Sequence, residues 1–107
     1  MSSSEFTDEP TWSGRQVARK VAEAHPRQRV VVTGTVVSTD LGRVGPSPAY
    51  RADLSDGTGR IGLVFLGRSS VPGMVVGARV AVEGTARREG PELVLWNPIY
   101  RLEHCLP

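Results

Sequence analysis

From Arg29 onward the chain carries apolar residues at the two-residue spacing of β-strands, broken at short intervals by Gly, Pro, Asn and Asp. The clearest stretch is Tyr50 to Leu66, YRADLSDGTGRIGLVFL, in which Asp56-Gly57-Thr58-Gly59 separates two apolar-rich runs. Asp-Gly between such runs predicts a hairpin, because the turn needs positive φ values that Gly adopts at little cost. With Leu54 opposite Ile61, Ala52 faces Leu63 and Tyr50 faces Phe65, so this side is apolar and belongs inside. The other side presents Arg51, Asp53, Arg60, Gly62 and Val64.

The same reading extends along the chain. A long first strand is expected over Arg29 to Asp40, with Gly34 marking a bulge or sharp bend. Gly42, Gly45, Pro46 and Pro48 predict a loop before the hairpin. Arg68 to Gly77 breaks the strand pattern with a Pro-Gly turn. A fourth strand is expected over Ala78 to Arg88, a turn at Glu89-Gly90-Pro91, and a fifth strand over Glu92 to Trp96, ended by Asn97-Pro98. Val32-Thr33-Gly34-Thr35 and Val82-Glu83-Gly84-Thr85 share a local signature, a Gly following a Val run, which suits strongly curved strands. Upstream, residues 1–10 are Ser-rich and acidic and read as a disordered leader. Residues 11–25 read as an N-terminal α-helix: Thr11 or Ser13 can cap it, Trp12, Val17, Val21 and Ala24 share one face, and His25-Pro26 ends it.

Composition narrows the class. One domain of 107 residues with 39% hydrophobic residues has room for one modest core. No apolar run approaches the roughly 20 residues that span a bilayer, and the polar start does not resemble a signal peptide. A cytoplasmic protein is the expectation. Cys105 is the one cysteine, so no disulfide forms within the chain, and beside His104 it makes at most half a metal site. Neither a metal nor a cofactor is expected. Gly57 to Gly62, GTGRIG, matches the dinucleotide-binding GxGxxG pattern in form, but that pattern cradles a pyrophosphate where a strand leads into a helix, and here strand residues follow at once. No Gly-x-Ser-x-Gly elbow, Lys-bearing phosphate loop or carboxylate pair supports catalysis, so the chain does not read as an enzyme.

The formal net charge is +2, and twelve of the thirteen positive side chains are Arg. Between Pro26 and Leu102, ten Arg stand against six acids. Arg suits phosphate because its planar fork donates two hydrogen bonds together. Heavy use of Arg, Gly, Ala and Val is equally what a GC-rich genome produces.

Five strands, a long bent first one, and a gap holding a Pro-Gly turn between the third and fourth resemble an OB-fold, an all-β Greek-key barrel. The similarity covers residues 28–103. It rests on Val32 to Val36, on Leu54 to Gly67, on Val71 to Gly84 and on the closing Leu95 to Tyr100. It is nearest to OB-fold nucleic-acid-binding domains of the anticodon-binding type, also found in the wedge of RecG-type helicases and in replicative polymerases, and to small stand-alone OB-fold proteins of actinobacteria.

The resemblance implies binding of DNA or RNA on the outer face of the second and third strands and the two loops flanking it. Arg43, Arg51, Arg60, Arg68, Arg87 and Arg88 fall there, and Tyr50 and Trp96 are the candidates for base stacking. The alternative for the arginines is a solvated surface, with some paired to Asp53 or Glu89; for Trp96 it is closure of a core edge. With six aromatic residues in the chain, weak binding directed at the backbone is expected. A protein-interaction or self-assembly module, using an exposed Val64, Val75 and Val76 or the N-terminal helix, is the competing function.

Overall fold

β-branched residues dominate Arg29 to Val44, and the segment runs as one strand through all sixteen positions. In the computed structural model, which describes residues 20–103 and the backbone of Val17 and Ala18, it is the second of seven strands. They are β1 (Val17–Ala18), β2 (Arg29–Val44), β3 (Ser47–Ser55), β4 (Arg60–Leu66), β5 (Arg79–Glu89), β6 (Glu92–Trp96) and β7 (Ile99–Leu102), with one 3-10 turn at Val21–Glu23. No described helix is long and apolar enough to cross a membrane.

Five of these strands form a ring. The first half of β2 pairs antiparallel with β5, from Arg29↔Thr85 to Thr35↔Arg79. Its second half pairs antiparallel with β3, from Thr35↔Ser55 to Val44↔Ser47. β3 pairs with β4, β4 runs parallel to β6, and β6 returns to β5. β2 therefore changes partner at Thr35, beside Gly34. A Cβ on Gly34 would lie 2.5 Å from the Ser55 carbonyl oxygen, a separation real side chains do not show. The bulge itself falls three residues later, where the register shifts between Val36 and Ser38. Gly84 is different: a Cβ there would meet Pro98 and Leu95 at ordinary contact distances of 3.5–3.7 Å. The two Val-x-Gly-Thr segments look alike, but only the first answers a steric demand.

The hairpin register expected from alternation holds: Leu54 pairs with Ile61, Ala52 with Leu63 and Tyr50 with Phe65. Their apolar side joins Val30, Val32, Val36, Val80, Val82, Ala86 and Leu95 in a single core. Val21 and Ala24 close this core at one end. Val71 and Met74 belong to it as well, and Tyr50 and Tyr100 donate their hydroxyls to the Met74 and Pro72 carbonyls of the same loop, at 2.7 and 2.9 Å.

Two expectations are corrected and one strand is added. Over its described part, the segment read as a helix forms β1, parallel to Val30 and Val31, followed by the 3-10 turn. Residues 11–16 and the 1–10 leader lie outside the described residues. The helical spacing of Val17, Val21 and Ala24 is overridden because the Val21 and Ala22 N–H groups donate to Asp56 Oδ2 and Thr58 Oγ1 at 2.8 and 3.1 Å, not to carbonyls of a preceding helical turn. The loop expected at Gly42 to Pro48 is instead the end of a hairpin, with β2 and β3 paired up to Val44↔Ser47. Beyond Pro98 the chain resumes as β7 along β5, from Glu83↔Ile99 to Val80↔Leu102.

Gly34→Ala is expected to cost about 1–3 kcal/mol, as overpacking does, whereas Gly84→Ala, where a Cβ finds ordinary contact distances, costs less. Urea unfolding of the two variants measures this difference directly.

Candidate functional site

The register sorts the outer face of β3, β4, β6 and the end of β5. It carries Ala49, Arg51 and Asp53 from β3, and Arg60, Gly62, Val64 and Leu66 from β4. β6 adds Glu92, Val94 and Trp96, and β5 adds Arg87 and Glu89. Asp40 of β2 pairs with Arg51 at the edge. Basic and acidic groups are interleaved here, and the face is no continuous positive groove.

Arg51 shows why. Its Nη2 donates to Asp53 Oδ1 at 3.1 Å and to Glu92 Oε1 at 2.7 Å. To reach Glu92 on β6 it lies across Gly62 of the intervening strand, where a Cβ would come within 2.6 Å of the same nitrogen. Burial alone lowers the pKa of this guanidinium, but the hydrogen bonds to Glu92 and Asp53 outweigh it and hold the value above the ordinary one. Ser38 adds a hydroxyl donor to Asp53 at 2.8 Å. Arg51 is thus committed to two carboxylates, and Arg60 lines the same small recess as that trio.

Val64 is corrected from exposed to buried: it is 6% exposed and packs with Ala49, Val94 and the half-buried Trp96. Cross-strand pairing with Trp96 covers it. The Trp96 indole N–H donates to Glu89, and the Arg87 guanidinium lies over the ring 5.7 Å from its centre, within cation–π range. Trp96 is therefore both a core-edge residue and part of a polar cluster at the β5–β6 hairpin. Tyr50 lies on the opposite, interior side, facing Phe65 and bonded to the Met74 loop.

The remaining arginines divide between the ends of the strands. By register Arg43 is on the Tyr50 side of the β2–β3 ribbon, and its guanidinium donates to the Pro46 carbonyl. Arg68 follows β4 next to Gly67, whose N–H donates to Pro48 O at 2.7 Å, so it belongs to the same end as Arg43. Arg87 and Arg88 lie elsewhere, on the last turn-ward residues of β5. With Pro26, Arg27, Thr85 and Ala86 they line an open cleft of about 390 Å³ whose walls hold no carboxylate. Arg27 was not singled out by the sequence. Its partner strand lies some sixty residues away, and nothing local signals that its N–H donates to Ala86 O at 2.6 Å.

At that same end of the ring, the Asp56 turn holds the 3-10 segment. Asp56 accepts from the N–H groups of Val21 and Thr58 and from the Thr58 hydroxyl, at 2.8, 2.8 and 2.6 Å. Desolvation pushes its pKa up, but these bonds, the Thr58 side chain first, outweigh it and leave the carboxyl below its ordinary value. The GTGRIG motif runs from this turn into β4, and Gly62 lies inside the strand. Among the described residues no group of three His, Cys, Asp or Glu side chains is placed to hold a metal ion. His104 and Cys105 lie outside the described residues.

No protein-family model matches the chain, and no curated protein matches it.

Because the folded pKa of Asp56 is depressed, its contribution is complete above the unfolded value and disappears as pH falls through the folded one. Asp56→Ala is expected to cost about 1 kcal/mol at pH 7, as loss of a cap does. In urea melts run from pH 7 down to pH 2, the gap between wild type and variant closes at the acid end; a gap independent of pH contradicts the role given to the carboxylate.

Proposed function

We propose that the five-stranded ring is a Greek-key barrel of the OB type and that it binds nucleic acid through backbone contacts. The strand arrangement supports the first part: β6 inserts between β4 and β5, and β5 returns to β2, as a Greek key requires. The second part is carried by one observation, a cleft lined by Arg27, Arg87 and Arg88 and by no carboxylate, with the Arg87 guanidinium over the Trp96 ring. The phosphate-contacting surface is thereby shifted from the middle of the β3–β4 face, where Arg51 serves Asp53 and Glu92, to the β5–β6 hairpin and the segment preceding β2. Arg60, at the β4 terminus on the same end of the ring, lines the neighbouring recess with Asp53 and Glu92. Single-stranded or structured DNA or RNA fits this chemistry, since phosphate contacts carry no sequence information.

A protein-interaction or self-assembly module is the second reading, favoured by Val75 and Val76, which are 57% and 61% exposed in the loop between β4 and β5. Light scattering that finds a salt-insensitive oligomer favours that reading.

Three to four phosphate contacts give a slope of about −2 to −3 in log affinity against log salt. Affinity for a fluorescent oligonucleotide is then expected to fall roughly 20- to 50-fold between 50 and 200 mM salt. Arg88→Ala lowers the slope by about 0.7, and Arg43→Ala leaves it unchanged. Anisotropy titrations read both quantities; absence of binding at low salt, or binding indifferent to salt, overturns the proposal.

A further inference from the structure

Within the nucleic-acid reading, on which this step rests, the cleft has a more specific chemistry. Three guanidinium-bearing residues line one open volume of about 390 Å³, within the about 300–1,000 Å³ range of small-ligand sites. A phosphodiester brings one negative charge to such a site. A phosphate monoester brings about −1.5 to −2 at neutral pH and matches a cleft lined by three arginines and no carboxylate better.

The backbone adds a donor. Ala86 spends its N–H on the Gln28 carbonyl and its carbonyl on the Arg27 N–H, at 2.9 and 2.6 Å. Strand alternation points the N–H of Arg88, two residues on, toward the same edge. β2 begins at Arg29, opposite Thr85, and does not extend that far. By alternation the Arg88 N–H lies on the β5 edge that borders the cleft.

Arg27 itself is held at φ +70°. For a residue other than Gly this conformation is strained, and such strain gathers at ligand sites. A Gly at this position satisfies the backbone without strain.

We infer that the Arg27–Arg87–Arg88 cleft takes a terminal phosphate, a monoester or diphosphate, belonging either to the end of a nucleic-acid strand or to a free nucleotide. The guanidinium groups supply paired donors to its oxygens, and the Arg88 N–H supplies one more.

The test compares anisotropy titrations of one oligonucleotide carrying a 5′-phosphate, a 3′-phosphate or neither, beside calorimetry with pyrophosphate and ADP. Wild type is set against Arg27→Gly, which keeps the backbone conformation available, and Arg88→Ala, with melting curves confirming that both variants fold. At least tenfold tighter binding of one phosphorylated end, reduced to within twofold in both variants, supports the strand-end form. Binding of pyrophosphate and ADP, lost in both variants while no oligonucleotide binds, supports the cleft's chemistry with a free nucleotide as its source and overturns the nucleic-acid reading. Equal affinity for all three oligonucleotides overturns the terminal-phosphate inference and leaves nucleic-acid binding standing. No binding of any probe overturns both.

Discussion

β2 is hydrogen-bonded to β5 along its first half and to β3 along its second, and the changeover requires the Gly34 backbone to pass against the Ser55 carbonyl. A strand shared in this way turns an open sheet into a ring, which leaves no free edge along the shared segment. Everything else in the fold is arranged around that closure. The interior is filled mostly by small and medium apolar side chains, Val, Leu, Ile and Ala, with Phe65 and Met74 beside them, because a ring of five strands encloses little volume. On the far side Asn97 completes the circuit. Its N–H donates to Val64 O at 2.6 Å and its side-chain oxygen accepts from Leu66 N–H at 2.8 Å, at a φ of +50° that Asn tolerates better than most residues. The chain thereby leaves β6 fastened to β4 and returns along β5 as β7.

Closure also decides which charges are available. Bringing β3, β4 and β6 side by side places Arg51 within reach of Glu92, forty-one residues away, with Gly62 leaving the path between them clear. Such half-exposed pairs contribute about 0–1 kcal/mol to stability, and their larger effect is to remove a cation from the surface field. The Arg29 and Glu83 pair is a more costly arrangement. Glu83 is fully buried, and Arg29 Nε donates to it at 2.9 Å. Arg29 keeps its guanidinium partly in solvent, so the desolvation falls mainly on the carboxylate. Against this background the β5–β6 end is distinctive in gathering arginines around a cleft free of carboxylates.

The parts of the fold legible in the sequence were those fixed by local rules. Alternation and the Asp-Gly turn determine the Leu54–Ile61 register, because a slip of one residue sends every apolar side chain to the wrong face. Gly34 announced a constraint on β2, although the bulge it suggested falls at Val37. Non-local effects were not legible. A helical spacing of Val17, Val21 and Ala24 says nothing about Asp56 and Thr58, which accept the N–H groups an α-helix would have used internally. Gly42, Gly45, Pro46 and Pro48 read as a loop, and the pairing of β2 with β3 up to Val44 and Ser47 shows the tip of a longer hairpin. Asn97-Pro98 reads as a stop, and only the pairing of Ile99 to Leu102 with β5 shows a pause. The candidate site divides in the same way. Arg87 and Arg88 were visible as neighbours of a turn, but Arg27 joins them through a tertiary contact, and the neutralisation of Arg51 depends on a partner in a distant strand.

The most direct measurement is an amide and indole NMR titration of the protein with a short oligonucleotide at low salt. Shift changes concentrated at Arg27, at Ala86 to Glu89 and at the Trp96 indole N–H are the expected result. Changes confined to Arg43, Arg68 and the β2–β3 hairpin, or no changes at all, contradict the placement of the binding surface at the β5–β6 end.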